Sequence, residues 1–295
     1  MAMRDTFVTF LVIPAKAGMT AWRAALAALL LAACAGVSDR ISLADAIAAR
    51  AGFSRQSVHA DAFTLIAFER IRQRGGALVV YIEGDGKAWS TRTMLSTNPT
   101  PEKPVALELA ARDPAPNVVY IARPCQYLET GQDPRCVEAY WSSRRFAPEV
   151  IAATDQAIDH FKRRAGAESI HLVGFSGGAA VAALAAAKRS DVASLRTVAG
   201  NLDHVALHHH HRVNQLRGSL NALDVARALA RLPQVHFSGG RDKTVPMFIA
   251  RRFADAAGDS ACIRIVTVAG ADHGTGWAEA WPGLLKTIPA CSGPS

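Results

Sequence analysis

The chain predicts an α/β fold: a mainly parallel central sheet with helices on both faces and no large lid domain. Two observations carry this. Short runs of apolar, β-branched and aromatic residues alternate with helical stretches from Phe63 to the C-terminus, and no Pro-, Ser- or Gly-rich linker divides them. Strands separated by helices need crossover connections, which makes neighbouring strands parallel and covers both sheet faces. With 295 residues, 50% of them hydrophobic, the chain can bury a core of ordinary size.

The elements follow in order. Residues 1–33 read as an export leader: Ala24 to Ala33 is apolar, follows Arg23, and is too short to span a bilayer in place. Translation starts either at Met1 or at Met19, where Trp22 and Arg23 would give a compact positive n-region. Residues 34–62 form an N-terminal linker and helix, and residues 63–295 the main domain. Phe63 to Phe68 and Ala77 to Glu83 read as adjacent strands around a Gly75-Gly76 turn. A helix from Pro104 to Arg112 precedes the strand Asn117 to Ala122. Arg123 to Ala147 has no periodic pattern and is expected as an ordered loop beside the site.

A helix from Pro148 to Arg164 leads into the strand Ser169 to Phe175, and Gly177 to Lys188 is an alanine-rich helix. Leu195 to Ala199 is a strand, Gly200 to Ser219 irregular, and Ala222 to Arg231 a helix before the strand Val235 to Ser238. The helix Pro246 to Ala257, the strand Cys262 to Val268 and the helix Gly276 to Thr287 close the domain.

Charge and cysteines narrow the class. The net charge of +8 falls to +6 without the leader, where Arg4, Lys16 and Arg23 outnumber Asp5. The basic residues come in short pairs such as Arg144-Arg145 and Arg163-Arg164, with no aromatic-interleaved track for nucleic acid. Leu31-Ala32-Ala33-Cys34 resembles the lipobox of bacterial lipoproteins, which makes Cys34 the expected site of lipidation and a membrane lipid anchor the expected partner. Ala35 is not the Asp that signals inner-membrane retention in many enterobacteria, so the expectation is an outer-membrane anchor facing the periplasm. Cys125, Cys136, Cys262 and Cys291 then remain, an even number. Pairing Cys125 with Cys136 and Cys262 with Cys291 is one reading, and four buried free thiols the other. No spacing matches a zinc site.

Gly174-Phe175-Ser176-Gly177-Gly178 fits G-x-S-x-G between an apolar strand and a helix, the context in which a serine is presented on a sharp turn. An unaided serine hydroxyl is a poor nucleophile, so a histidine must accept its proton and a carboxylate must orient that histidine. Asp242 follows the strand ending at Ser238, and His273 follows the last strand, giving the order Ser, Asp, His. Asp242 could also cap the following helix. Asp203 is the reserve acid, and Asp272 a weaker one because it adjoins the base in sequence.

These residues resemble those of the α/β-hydrolase superfamily over Phe63 to Thr287. Tyr81-Ile82-Glu83-Gly84-Asp85-Gly86, Arg123-Pro124-Cys125-Gln126-Tyr127 and Gly200-Asn201-Leu202-Asp203 further resemble segments of proteobacterial α/β-hydrolase lipoproteins. The resemblance implies an oxyanion hole formed by the Gly177 N–H and by that of Asp85 or Gly86. A carboxylate there repels a developing oxyanion unless it points away or binds a cationic group on the substrate.

The expected activity is hydrolysis of a small-molecule carboxylic ester or related acyl bond through an acyl-enzyme, with no cofactor and no metal. A peptidase or thioesterase is the nearest alternative. A non-catalytic envelope lipoprotein using the fold as a binding module is another, and metal binding by His208 to His211 a third. Trp89, Trp141 and Trp277 either shape an apolar pocket or pack in the core.

Overall fold

The computed structural model describes residues 36–292 apart from 92, 130, 259 and 260. The leader, Met19 and Cys34 lie outside the described residues.

Eight strands form one sheet in the order β1-β2-β4-β3-β5-β6-β7-β8. These are β1 (Ser54–Ala60), β2 (Phe63–Ile71), β3 (Leu78–Ile82), β4 (Asn117–Ile121), β5 (Ile170–Phe175), β6 (Val192–Val198), β7 (Gln234–Gly239) and β8 (Ile263–Val268). From β4 through β8 every pairing is parallel, while β1–β2 and β2–β4 are antiparallel. The helices are α1 (residues 36–50), α2 (Val105–Ala111), α3 (Pro148–Ala165), α4 (Gly177–Ala186), α5 (His204–His211), α6 (Phe248–Ala257) and α7 (Trp277–Leu284).

Two apolar layers sandwich the sheet. On one face α3, α4 and α6 pack through Ile151, Phe161, Val181, Leu184, Ile249 and Phe253. On the other, α1, α2 and α7 pack through Ala44, Leu107, Leu109, Trp277 and Trp281. All ten residues of α4 are buried, and its alanines let the helix lie close against the sheet. Among the described residues no helix is long and apolar enough to cross a membrane.

Four details differ from the sequence expectation. β2 and β3 are not adjacent, because β4 lies between them. β4 is buried along its whole length, and an interior position with partners on both sides suits it. The segment expected as linker supplies β1, whose edge position leaves only Val58 and Ala60 buried; a strand so polar gives little apolar alternation to read.

Gly200 to Ser219 is not wholly irregular, since α5 occupies His204–His211. It starts because the Asp203 carboxylate accepts the Ala206 N–H at 3.1 Å, an N-cap that offsets the missing apolar periodicity of a histidine run. Ala222–Val225 is a short 3-10 turn followed by further turns rather than the expected α-helix, with Ala226 N–H bonded to Leu223 O and Leu229 N–H to Ala226 O.

Both suggested disulfides are present, Cys125–Cys136 within the loop after β4 and Cys262–Cys291 between the start of β8 and the tail.

Candidate active site

Ser176 sits between β5 and α4 with φ +51° and ψ −118°, a backbone conformation that a non-glycine residue holds only when its surroundings enforce it. Glycines on either side permit the turn. A Cβ on Gly174 would come within 2.4 Å of the Ala179 Cα, and one on Gly178 within 2.3 Å of the Ile82 carbonyl oxygen.

Residues after three different strands meet at this turn. Ser176 Oγ is 3.0 Å from His273 Nε2, and His273 Nδ1 is 2.9 Å from Asp242 Oδ2. The Asp242 side chain is fully buried, and its other oxygen accepts the N–H groups of Thr244 (2.8 Å) and Val245 (2.9 Å). One carboxylate thus both holds its own loop and orients the imidazole. The Phe175 ring lies 5.4 Å from the His273 ring, and Trp277 Nε1–H donates to the carbonyls of Asp272 (2.8 Å) and His273 (3.2 Å), fixing the histidine loop from below.

The reserve acids have other work. Asp203 caps α5 and pairs with Arg252 at 2.8 Å, whereas Asp272 closes its own turn through Gly274 N–H and Thr275. Trp277 and Trp141 are buried, and Trp89 is exposed. In the histidine run, His208 Nδ1 meets the Asn214 carbonyl and His211 Nε2 lies 2.8 Å from the Thr244 carbonyl. Among the described residues no group of three or more His, Cys, Asp or Glu could hold a metal ion.

Opposite the triad, the N–H groups of Gly177, Asp85 and Gly86 make no hydrogen bond among the described residues. Gly177 opens α4, where free N–H groups and the helix dipole favour negative charge. The Asp85 carboxylate does lie against this corner: a Cβ on Gly177 would sit 2.1 Å from its Oδ1. Its charge is clamped. Arg123 Nη1–H donates to Oδ1 at 3.1 Å and Arg145 Nη1–H to Oδ2 at 2.7 Å. Burial acts to raise the Asp85 carboxyl, but Arg145 and Arg123 outweigh it and hold it below the usual carboxylate range. The repulsion expected from sequence is therefore compensated within the protein, and both carboxylate oxygens are already engaged.

Behind the loop, the buried Glu83 carboxyl accepts the N–H groups of Gly84 (2.8 Å) and Ala106 (3.4 Å) and the Tyr120 hydroxyl (3.1 Å). Burial pushes it up to about 7. Sequence reasoning missed Glu83 as a support and Arg145 as a clamp. Arg145 showed only as half of a basic pair, and nothing local signals that it reaches a carboxylate 60 residues away.

Solved structures similar to this chain include an esterase from Pyrococcus furiosus, with a TM-score of 0.57 at 12% identity over 81% of this chain and 91% of that one. An alpha-beta serine hydrolase homologue from Coxiella burnetii matches with a TM-score of 0.51 at 15% identity, over 78% of this chain and 93% of that one. The fold is that of the α/β-hydrolases. A puromycin-hydrolyzing peptidase from Mycobacterium tuberculosis shares the hydrolase fold with a TM-score of 0.57 at 15% identity, over 79% of this chain but 38% of that one. No family model matches the sequence, and no curated protein matches it. Within this fold the Ser176 turn follows β5 and His273 follows β8, with no large lid among the described residues.

Proposed function

We propose that this chain is a serine hydrolase that cleaves a small-molecule carboxylic ester, or a related acyl bond, through Ser176. The observation that carries the reading is the unbroken chain of contacts from Ser176 Oγ to His273 Nε2 and from His273 Nδ1 to Asp242 Oδ2. His273 Nε2 takes the Ser176 proton as Oγ attacks the carbonyl carbon, and Asp242 holds the imidazole in the tautomer with hydrogen on Nδ1. The carbonyl oxygen gains negative charge and is received by the N–H of Gly177 with that of Asp85 or Gly86, each contributing about 3 kcal/mol. His273 returns the proton to the leaving group, and water, activated by the same imidazole, then releases the acyl group.

The same reading places the protein in the cell envelope, lipid-anchored through Cys34 and facing the periplasm from the outer membrane. Its support is the lipobox-like sequence and two disulfides, which persist in oxidising compartments. A panel of 4-nitrophenyl esters of increasing chain length tests the activity. The expected result is turnover that Ser176→Ala lowers by about 10⁶-fold with the fold intact. Equal turnover by the variant removes the assignment.

A further inference from the structure

A second cluster adjoins the Ser176 turn, where the Asp85 carboxylate lies against Gly177, and the triad leaves it unexplained. Arg123 and Arg145 share a single carboxylate, that of Asp85, so among the groups in direct contact positive charge is in excess. Glu83 also acts on Arg123, but burial raises its carboxyl to about 7, so near neutral pH it offsets the clamp's charge only in part. Arg145 uses Nη1 on Asp85 and Nε on the Ser142 carbonyl, and its Nη2 makes no hydrogen bond among the described residues.

α5 approaches the cluster through Phe146. The Asn201 N–H bonds the Ser176 carbonyl at 3.0 Å, which ties the turn leading into α5 to the nucleophile. One helical turn apart, His204 and His208 face each other at 6.0 Å between ring centroids, and the His204 ring lies 5.9 Å from Phe146, the residue after Arg145. The Arg123 guanidinium stands over the same Phe146 ring at 5.4 Å. His204 is 4% exposed, yet among the described residues neither ring nitrogen has a hydrogen-bond partner. A buried polar group without a partner is costly, and such groups persist mainly where function uses them. Arg145 interacts electrostatically with both histidines, and Asp85 with His208.

We propose that the substrate carries a carboxylate, in its acyl or leaving portion, that docks on Arg145 Nη2 and the His204–His208 face of α5 beside Ser176. The excess positive charge of the clamp favours an anionic group. The Asp85 oxygens are both bound to arginine, so a cationic substrate group finds no free partner there. The inference rests on the hydrolase reading above and names its substrate class.

The test compares two alkyl fluorophosphonates of equal length, one ending in a carboxylate and the other in its methyl ester, by their rate of labelling Ser176. At low salt the carboxylate probe is expected to react about tenfold faster, the worth of one charge-assisted hydrogen bond. That preference falls toward unity at high salt and in Arg145→Gln. His208→Gln, which leaves the clamp intact, is read on the same ratio and lowers it as well. Equal labelling by both probes, or a preference unchanged in both variants, overturns the inference. Labelling by neither probe overturns the hydrolase reading instead.

Discussion

Ser176, Asp242 and His273 stand just beyond the carboxyl ends of β5, β7 and β8, and Asp85 and Arg123 just beyond those of β3 and β4, whereas Arg145 reaches Asp85 from the irregular loop ahead of α3. The triad is placed by the sheet, because parallel strands in register deliver their following residues to one edge. The clamp is begun by the sheet, which sets Asp85 and Arg123 after the parallel pair β3–β4, and is completed by the charge of Arg145. Its partners lie 38 and 60 residues apart in sequence and are held by two ion pairs, with the Cys125–Cys136 disulfide bracing the loop between Arg123 and Arg145. Losing a triad member should therefore change chemistry and spare the fold. Losing a clamp member should touch both.

Asp242→Asn breaks this comparison most sharply. Asparagine can keep the bonds from Thr244 and Val245 while losing the carboxylate on His273 Nδ1, so turnover should fall by about 10⁴-fold with little change in thermal stability. Comparable losses in both would put Asp242 on the structural side.

Asp85→Asn comes next and should show the mixed signature. Turnover is expected to fall by about 10²-fold as the oxyanion loop loosens. Denaturant unfolding should show a loss of about 3 kcal/mol, because two mostly buried guanidinium groups lose their shared counterion. A purely catalytic or purely structural effect would contradict the clamp.

The smallest effect sharpens the comparison by its pH dependence. Burial raises the Glu83 carboxyl from 4.5 to about 7, so between those values the folded chain holds a proton that the unfolded chain has released. Its contribution to stability is full below pH 4.5 and is lost as pH rises toward about 7, a change of about 3 kcal/mol. Glu83→Gln keeps an acceptor for Gly84 and Ala106 and should remove that slope from urea unfolding measured across the range. A slope that survives the substitution assigns it to another group.

The same contrast explains what could be read from sequence. The elbow at Ser176, the acid after β7 and the base after β8 each carry a local signature, a turn motif or a place after an apolar run, and chain order ties them together. The parallel strands from β3 to β8 were legible for the same reason, as short apolar runs. β1 was not, because an edge strand exposes most of its side chains, and the place of β4 between β2 and β3 depends on pairing that no local pattern encodes. α5 rests on one capping carboxylate ahead of a histidine run, and its cap, Asp203, looked instead like a spare acid. Arg145 acts from a loop without periodicity, and Glu83 from the end of an apolar strand that does not announce its partners Ala106 and Tyr120, so their roles emerge only when the chain is folded.

Peptide mapping by mass spectrometry after treatment with a neutral fluorophosphonate tests the central claim most directly. The account predicts a single phosphonyl adduct on the peptide containing Ser176, suppressed in His273→Ala, since the hydroxyl then has no base. An adduct on another serine, or undiminished modification of Ser176 without His273, would contradict it.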